Sequence, residues 1–221
     1  MSSPIKTSLR TEWFSLSLLV LSLVLAVYFY QNFPVSVATH WGINGEANGY
    51  SGPLGAAFML PAILIIIYLV FLFMPYIDPK KDQYAAFASV YHNFKDLIIA
   101  FLFIVYFLTG MNGLGYRVDI GFYMPIMVGV LFIFNGLLMR QVKSNWFMGV
   151  RTPWTMSSDT VWEKTNKLSS WVFAVSGLLI AATVLVAAQA KTILFILAIT
   201  FMVLALPIYS YILYSREKNK K

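Results

Sequence analysis

The sequence predicts an all-α integral membrane protein with six transmembrane helices and both termini in the cytoplasm. Three observations predict it. Apolar residues make up 59% of the 221 and charged residues only 11%, where soluble domains carry about a quarter charged. The apolar residues gather into six runs close to the length that crosses hydrocarbon, about 20 residues. The lysines and arginines fall almost wholly in alternate connections between those runs, the pattern that sets membrane orientation.

The net charge of +7 would suggest nucleic acid if it lined one soluble face. Scattered between apolar runs it reads as topology, so direct nucleic-acid binding is not expected. Cysteine is absent, which removes disulfides, thiolate nucleophiles and Cys-based metal sites. The two histidines, His40 and His92, are too few for a histidine-rich centre, so no metal and no cofactor is expected.

The first span is placed at Trp13–Tyr30. Lys6 and Arg10 precede it as in a signal peptide. The bulky Tyr28-Phe29-Tyr30 stands where small cleavage-site residues would be needed, so an uncleaved helix is expected. The following loop, QNFPVSVATHWGINGEANGYSGP (31–53), has no Lys or Arg. Within it VSVATHW alternates and reads as extended, and Asn44-Gly45 and Asn48-Gly49 each signal a tight turn. Too short to bury its own core, the loop is expected to dock Phe33, Trp41 and Tyr50 on headgroups or helix ends. His40 and Glu46 flank the first turn, but two ligands fall short of the three that a zinc site needs.

Further spans are expected at Leu54–Tyr76, Leu97–Leu114, Ile120–Met139, Ser170–Ala188 and Thr192–Tyr214. Aromatic residues near their ends (Tyr76, Tyr116, Trp171, Tyr214) suit the headgroup layer. One face of the membrane would hold Lys6, Arg10, Lys80, Lys81, Lys95, Arg140, Lys143, Arg151, Lys164, Lys167 and the basic tail. Only Arg117 and Lys191 of the 16 basic residues fall on the other, which makes the first face cytoplasmic. Asp96, beside Lys95 at the cytoplasmic end of the third span, is expected to snorkel. Asn135, inside the fourth span, is expected to hydrogen-bond to a neighbouring helix. The glycines of GMNGLG (110–115) either let helices approach closely or end the span. No buried proton relay or charged ion path is evident.

The fourth and fifth spans are joined by the richest connection, SNWFMGVRTPWTMSSDTVWEKTNKL (144–168). Thr152 precedes a proline and is pushed toward extended backbone. Ser157 with Asp159, or Thr160 with Glu163 as a capping box, would start a helix. Val161, Trp162, Thr165, Leu168 and Ser169 then recur at helical spacing. This predicts an amphipathic interfacial helix anchored by Trp146, Trp154 and Trp162, with Arg151, Lys164 and Lys167 toward anionic headgroups.

These residues resemble the signature of the SdpI family of bacterial membrane immunity proteins, in which an Asn and an aromatic precede Gly-Ile/Val-Arg-Thr-Pro-Trp-Thr, a polar cap and a Trp-containing helix. The outer loop, PVSVATHWGINGEANGY, resembles a small domain of unknown function often fused ahead of that region. Asn166 departs from the pattern, where many relatives carry histidine. The resemblance implies a non-enzymatic function: protection against a secreted peptide toxin that acts on the membrane, with capture of a cytoplasmic transcriptional repressor in the best-known case. It makes Asn145, Gly149, Arg151, Thr152, Pro153, Trp154, Thr155 and Trp162 the family's functional or structural motif. With the outer-loop residues Thr39, His40, Trp41 and Glu46, the binding candidates for toxin or partner are Asn145, Arg151, Thr152, Pro153, Trp154 and Trp162. No catalytic residue is expected. The domains read as 1–76 with the outer loop, 77–119 with the third span, and 120–221 as the SdpI-like region.

Aligning the chain with itself at an offset of 113 pairs Val37 with Val150, Thr39 with Thr152 and Trp41 with Trp154. Each loop follows the first span of a three-span half, on opposite faces, as a 3+3 inverted repeat would give. That repeat makes a small transporter or channel the alternative function. An intramembrane enzyme ranks below both, since no span carries a paired carboxylate or His cluster.

Overall fold

The structure, a computed structural model, describes residues 4–219. Its helices are α1 (Leu9–Asn32), α2 (Pro53–Ile77), α3 (Ala88–Gly113), α4 (Ile120–Met139), α5 (Pro153–Ser157), α6 (Asp159–Ala182) and α7 (Ala188–Lys218). Between α1 and α2 lie two strands, β1 (Val37–Trp41) and β2 (Ala47–Ser51), and a 3₁₀ helix, Lys81–Phe87, precedes α3. Among the described residues, six helical segments, carried by α1, α2, α3, α4, α6 and α7, are long and apolar enough to cross a membrane. α1, α2 and α7 overrun the expected spans at both ends, and α3 and α6 do so at their starts; α4 coincides with its expected span, and α6 stops at Ala182, short of the expected Ala188. A membrane helix satisfies its own backbone and can continue into the headgroup layer.

The chain packs as two units. The first comprises Thr7–Leu72 and Lys95–Met127; the second comprises the segment up to Lys6, Phe73–Phe94 and Val128 onward. In the first, α1, α2 and α3 meet in two apolar layers. Leu19, Leu64 and Ile99 form one, and Ala26, Phe29, Ala57 and Tyr106 form the other. Tyr106 donates its hydroxyl to the Ala57 carbonyl at 2.9 Å, a buried bond between helices worth about 0.6 kcal/mol in such settings.

The connection between α1 and α2 is a β-hairpin. β1 and β2 pair antiparallel, with Val37 opposite Ser51 and Trp41 opposite Ala47. Asn44-Gly45 makes the turn as expected: Gly45 has φ of 81°, and Gly42 and Glu46 close it by a 2.9 Å bond. Asn48-Gly49 does not turn. It lies in β2 opposite His40, where the register is irregular and a Cβ on Gly49 would lie 2.8 Å from that of His40. Glycine is needed there for cross-strand clearance. The loop docks on helix ends through Val37 and Phe33, both against Gly113, and Phe33 stacks on Phe29 with centroids 5.2 Å apart.

In the second unit α4 and α6 cross at glycines. A Cβ on Gly129 would sit 2.4 Å from the Gly177 carbonyl, and one on Gly136 would sit 2.9 Å from that of Ser170. Asn135 differs from expectation. It is buried, yet its Oδ1 meets no hydrogen-bond partner among the described residues. The amphipathic segment also differs, being the first turns of α6 and continuous with the fifth span; only α5 stands apart as a short helix. From Asp159 to Ser176 there is no Gly or Pro to interrupt it.

Candidate functional site

The connection from α4 to α6 is organised by one fully buried side chain, Asn145. Its amide nitrogen donates to the carbonyls of Lys143 (2.8 Å) and Met148 (3.0 Å). Its oxygen accepts from the backbone N–H of Phe147 (2.8 Å) and Met148 (2.6 Å). That uses both donors and both lone pairs of the amide. The turn reverses at Gly149, whose φ of 106° suits glycine. A Cβ there would lie 2.8 Å from the Trp162 ring and 2.9 Å from Asn166 Oδ1.

Trp162 and Asn166, both buried on α6, receive the turn. Trp162 Nε1 donates to the Val142 carbonyl (2.9 Å), and Asn166 accepts from Val150 N (2.9 Å) while donating to the Trp162 carbonyl (3.0 Å). The asparagine at 166 is therefore a bracing residue that reads a backbone N–H.

Thr152 caps α5. Its hydroxyl accepts from Thr155 N, and Thr155 Oγ1 accepts from Thr152 N, a reciprocal box with Pro153 at the first helical position. Thr152 also bonds Ser210 on α7 (3.0 Å), and Trp154 meets Tyr211 edge-on at 5.2 Å. The cap of α6 is Ser158, which accepts from Val161 N. The expected starts at Ser157 and Thr160 are thus each displaced. Ser157 bonds back to the Pro153 carbonyl, which leaves Ser158 as the extended residue before the helix. Thr160 lies inside the first turn.

A residue that sequence reasoning missed also serves this turn. The Asp78 carboxylate is buried and accepts from Lys80 N (2.7 Å), Tyr84 OH (2.8 Å) and Trp146 N (2.9 Å). Lys80 reaches Ser144 at 2.5 Å. Nothing in local sequence marks this pairing across 68 positions.

Of the inner candidates, Asn145 and Trp162 are buried, Thr152 and Trp154 half-buried, and Arg151 and Pro153 exposed. Arg151 donates to the Trp146 carbonyl, which draws its guanidinium toward the exposed Trp146. In the β1–β2 hairpin His40 and Glu46 are exposed and Thr39 and Trp41 half-buried. His40 pairs with Asn48 Oδ1 (2.5 Å). Among the described residues no group of three or more His, Asp or Glu could hold a metal ion.

Asp96, expected to snorkel, keeps its side chain a quarter exposed; its neighbour Lys95 is the one drawn inward. Lys95 is 1% exposed and ion-paired with Glu12, itself 5% exposed. Tyr68 donates to Glu12 (3.1 Å), Ser15 to Asp96 (2.6 Å), and Asp96 lies 3.7 Å from the Lys95 ammonium. α1 and α3 extend beyond the expected spans and bring these charges face to face. Buried opposite charges at such distance stay together instead of reaching outward.

Six apolar helices, with a hairpin in one connection and a side-chain-pinned turn in another, define a multi-pass helical membrane protein whose distinctive residues lie in its connections. Residues 141–211 match the SdpI/YfhL protein family, and residues 17–65 match a domain of unknown function, DUF1648. The chain is 30% identical over 167 residues to the immunity protein SdpI of Bacillus subtilis (strain 168), covering 76% of this chain and 78% of that protein. It belongs to the SdpI family. No solved structure matches it.

Proposed function

We propose that the chain is a non-enzymatic immunity protein of the plasma membrane that protects its cell against a secreted, membrane-active peptide toxin. The observation that carries this reading is the similarity, over three quarters of the chain, to a protein named for immunity. The charge distribution supports an orientation with both termini cytoplasmic and the hairpin outside. The hairpin then meets the toxin through exposed His40 and Glu46, with Thr39 and Trp41 bracing them. The inner turn holds a cytoplasmic transcriptional repressor through Arg151, Pro153 and Trp154. Asn145, Thr152 and Trp162 keep that surface in shape. The bilayer is the constant partner, nucleic acid is not contacted directly, and the region from 120 onward forms the SdpI-like part.

Deleting the gene is expected to sensitise cells to a membrane-active peptide, and the intact gene to rescue them. Arg151→Ala or Trp154→Ala should abolish rescue at equal protein level. Rescue that survives both substitutions would make the inner turn purely structural, and unchanged sensitivity after deletion would overturn the immunity reading.

The matched loop residues favour a second reading, a six-helix transporter or channel built as a 3+3 inverted repeat. The paired positions fold differently, Val37, Thr39 and Trp41 in a strand and Val150, Thr152 and Trp154 around a helix cap. The repeat would therefore reside in the helices alone. Solute flux in proteoliposomes tests it.

A further inference from the structure

We infer that the buried Glu12–Lys95–Tyr68 node is a clamp that fixes the axial register of α1, α2 and α3, and thereby seats the hairpin at their far end. Each helix supplies a member: Glu12 from α1, Tyr68 from α2, Lys95 from α3. Glu12 accepts from both partners, and the Lys95 ammonium lies 5.6 Å from the centroid of the Tyr68 ring.

Beyond the node the three helices touch through the apolar layers of Leu19 and Phe29, with directional bonds from Ser15 to Asp96 beside it and from Tyr106 to the Ala57 carbonyl in the second layer. Apolar burial is non-directional, so a helix displaced by one residue along its axis would retain much of it. A buried, hydrogen-bonded ion pair does not tolerate that slip, and register is the best-attested use of such groups.

The far end is where register matters. Glu12 and Phe33 are 21 residues apart along α1, about 31 Å at helical rise. There the hairpin rests on glycine clearances. A Cβ on Gly113 would lie 2.8 Å from Val37 and 2.9 Å from Phe33, and one on Gly110 would lie 2.1 Å from Phe29. Sliding α3 by one residue, about 1.5 Å, carries the Gly113 clearance out of line with Val37 and Phe33. The hairpin can seat in one register, and the node at the opposite end selects it. This inference is independent of what the hairpin binds.

The test uses the absence of cysteine. Val37 is 2% exposed, so the thiol of a Val37→Cys variant is shielded while the hairpin is seated. Labelling by a small maleimide is followed on the purified full chain in detergent. In that background Lys95→Met should accelerate labelling about tenfold, because local opening governs access to a buried thiol. The double change Glu12→Leu/Lys95→Met replaces the pair with apolar groups. A pair that merely stabilises predicts parental melting temperature and parental labelling; the clamp predicts parental melting temperature with fast labelling. Tyr68→Phe, which removes one hydroxyl and keeps the pair, should accelerate labelling about threefold. Labelling at the parental rate in a folded double variant overturns the clamp. If the pair variants do not fold, a parental rate in Tyr68→Phe overturns it in their place.

Discussion

Replacing Asn145 by alanine removes four hydrogen bonds from one turn. Two of them, to the N–H and carbonyl of Met148, are fully buried, and water cannot take the lost partner's place. Leaving a buried polar group unsatisfied costs about 1–3 kcal/mol. The bonds to Lys143 and Phe147 are only part-buried and rehydrate. The expected loss is therefore about 2–6 kcal/mol. Asn145→Asp keeps the oxygen that accepts from Phe147 N and Met148 N but turns its second oxygen toward the carbonyls of Lys143 and Met148, so it should be at least as damaging despite equal size. Reversible unfolding in mixed micelles, followed by tryptophan fluorescence, measures both. A loss under about 0.5 kcal/mol for alanine, or a benign aspartate, would refute the claim that this amide organises the turn.

Gly149→Ala should destabilise by about 1–3 kcal/mol, since it combines positive φ with a methyl pressed on Trp162; the same unfolding assay reads it. Gly129→Leu places a side chain against the Gly177 backbone and should cost about 3 kcal/mol or prevent folding. Normal expression and an unchanged melting temperature would contradict the close crossing of α4 and α6.

The spans were legible because a bilayer imposes one length and one composition on every helix that crosses it. The Asn44-Gly45 turn was legible for a local reason, a glycine that takes positive φ. Asn48-Gly49 carries the same letters yet lies in a strand, since its pairing with His40 is decided eight residues away. The importance of Asn145 and Trp162 was visible through family resemblance, but not their burial, which depends on the route of the chain back over α6. Ser158 was missed as a cap because Ser, Ser, Asp and Thr stand in a row and any could serve. Glu12 and Lys95 were missed for a different reason. Charges just outside an apolar run look peripheral in one dimension, and only packing shows that they face one another.

The contact between Asp78 and Trp146 bears on how far the family's signature can travel. The matched region begins at residue 141, yet the backbone of that region is held by a carboxylate 63 positions before it. A graft of residues 141–211 into another helical scaffold would import the recognisable letters without their acceptor. Trp146 N–H would then lack its partner, and the turn would lose the support that keeps Arg151 beside Trp146. Moving the turn between proteins requires carrying residues 78–84 as well, although nothing about their sequence advertises it.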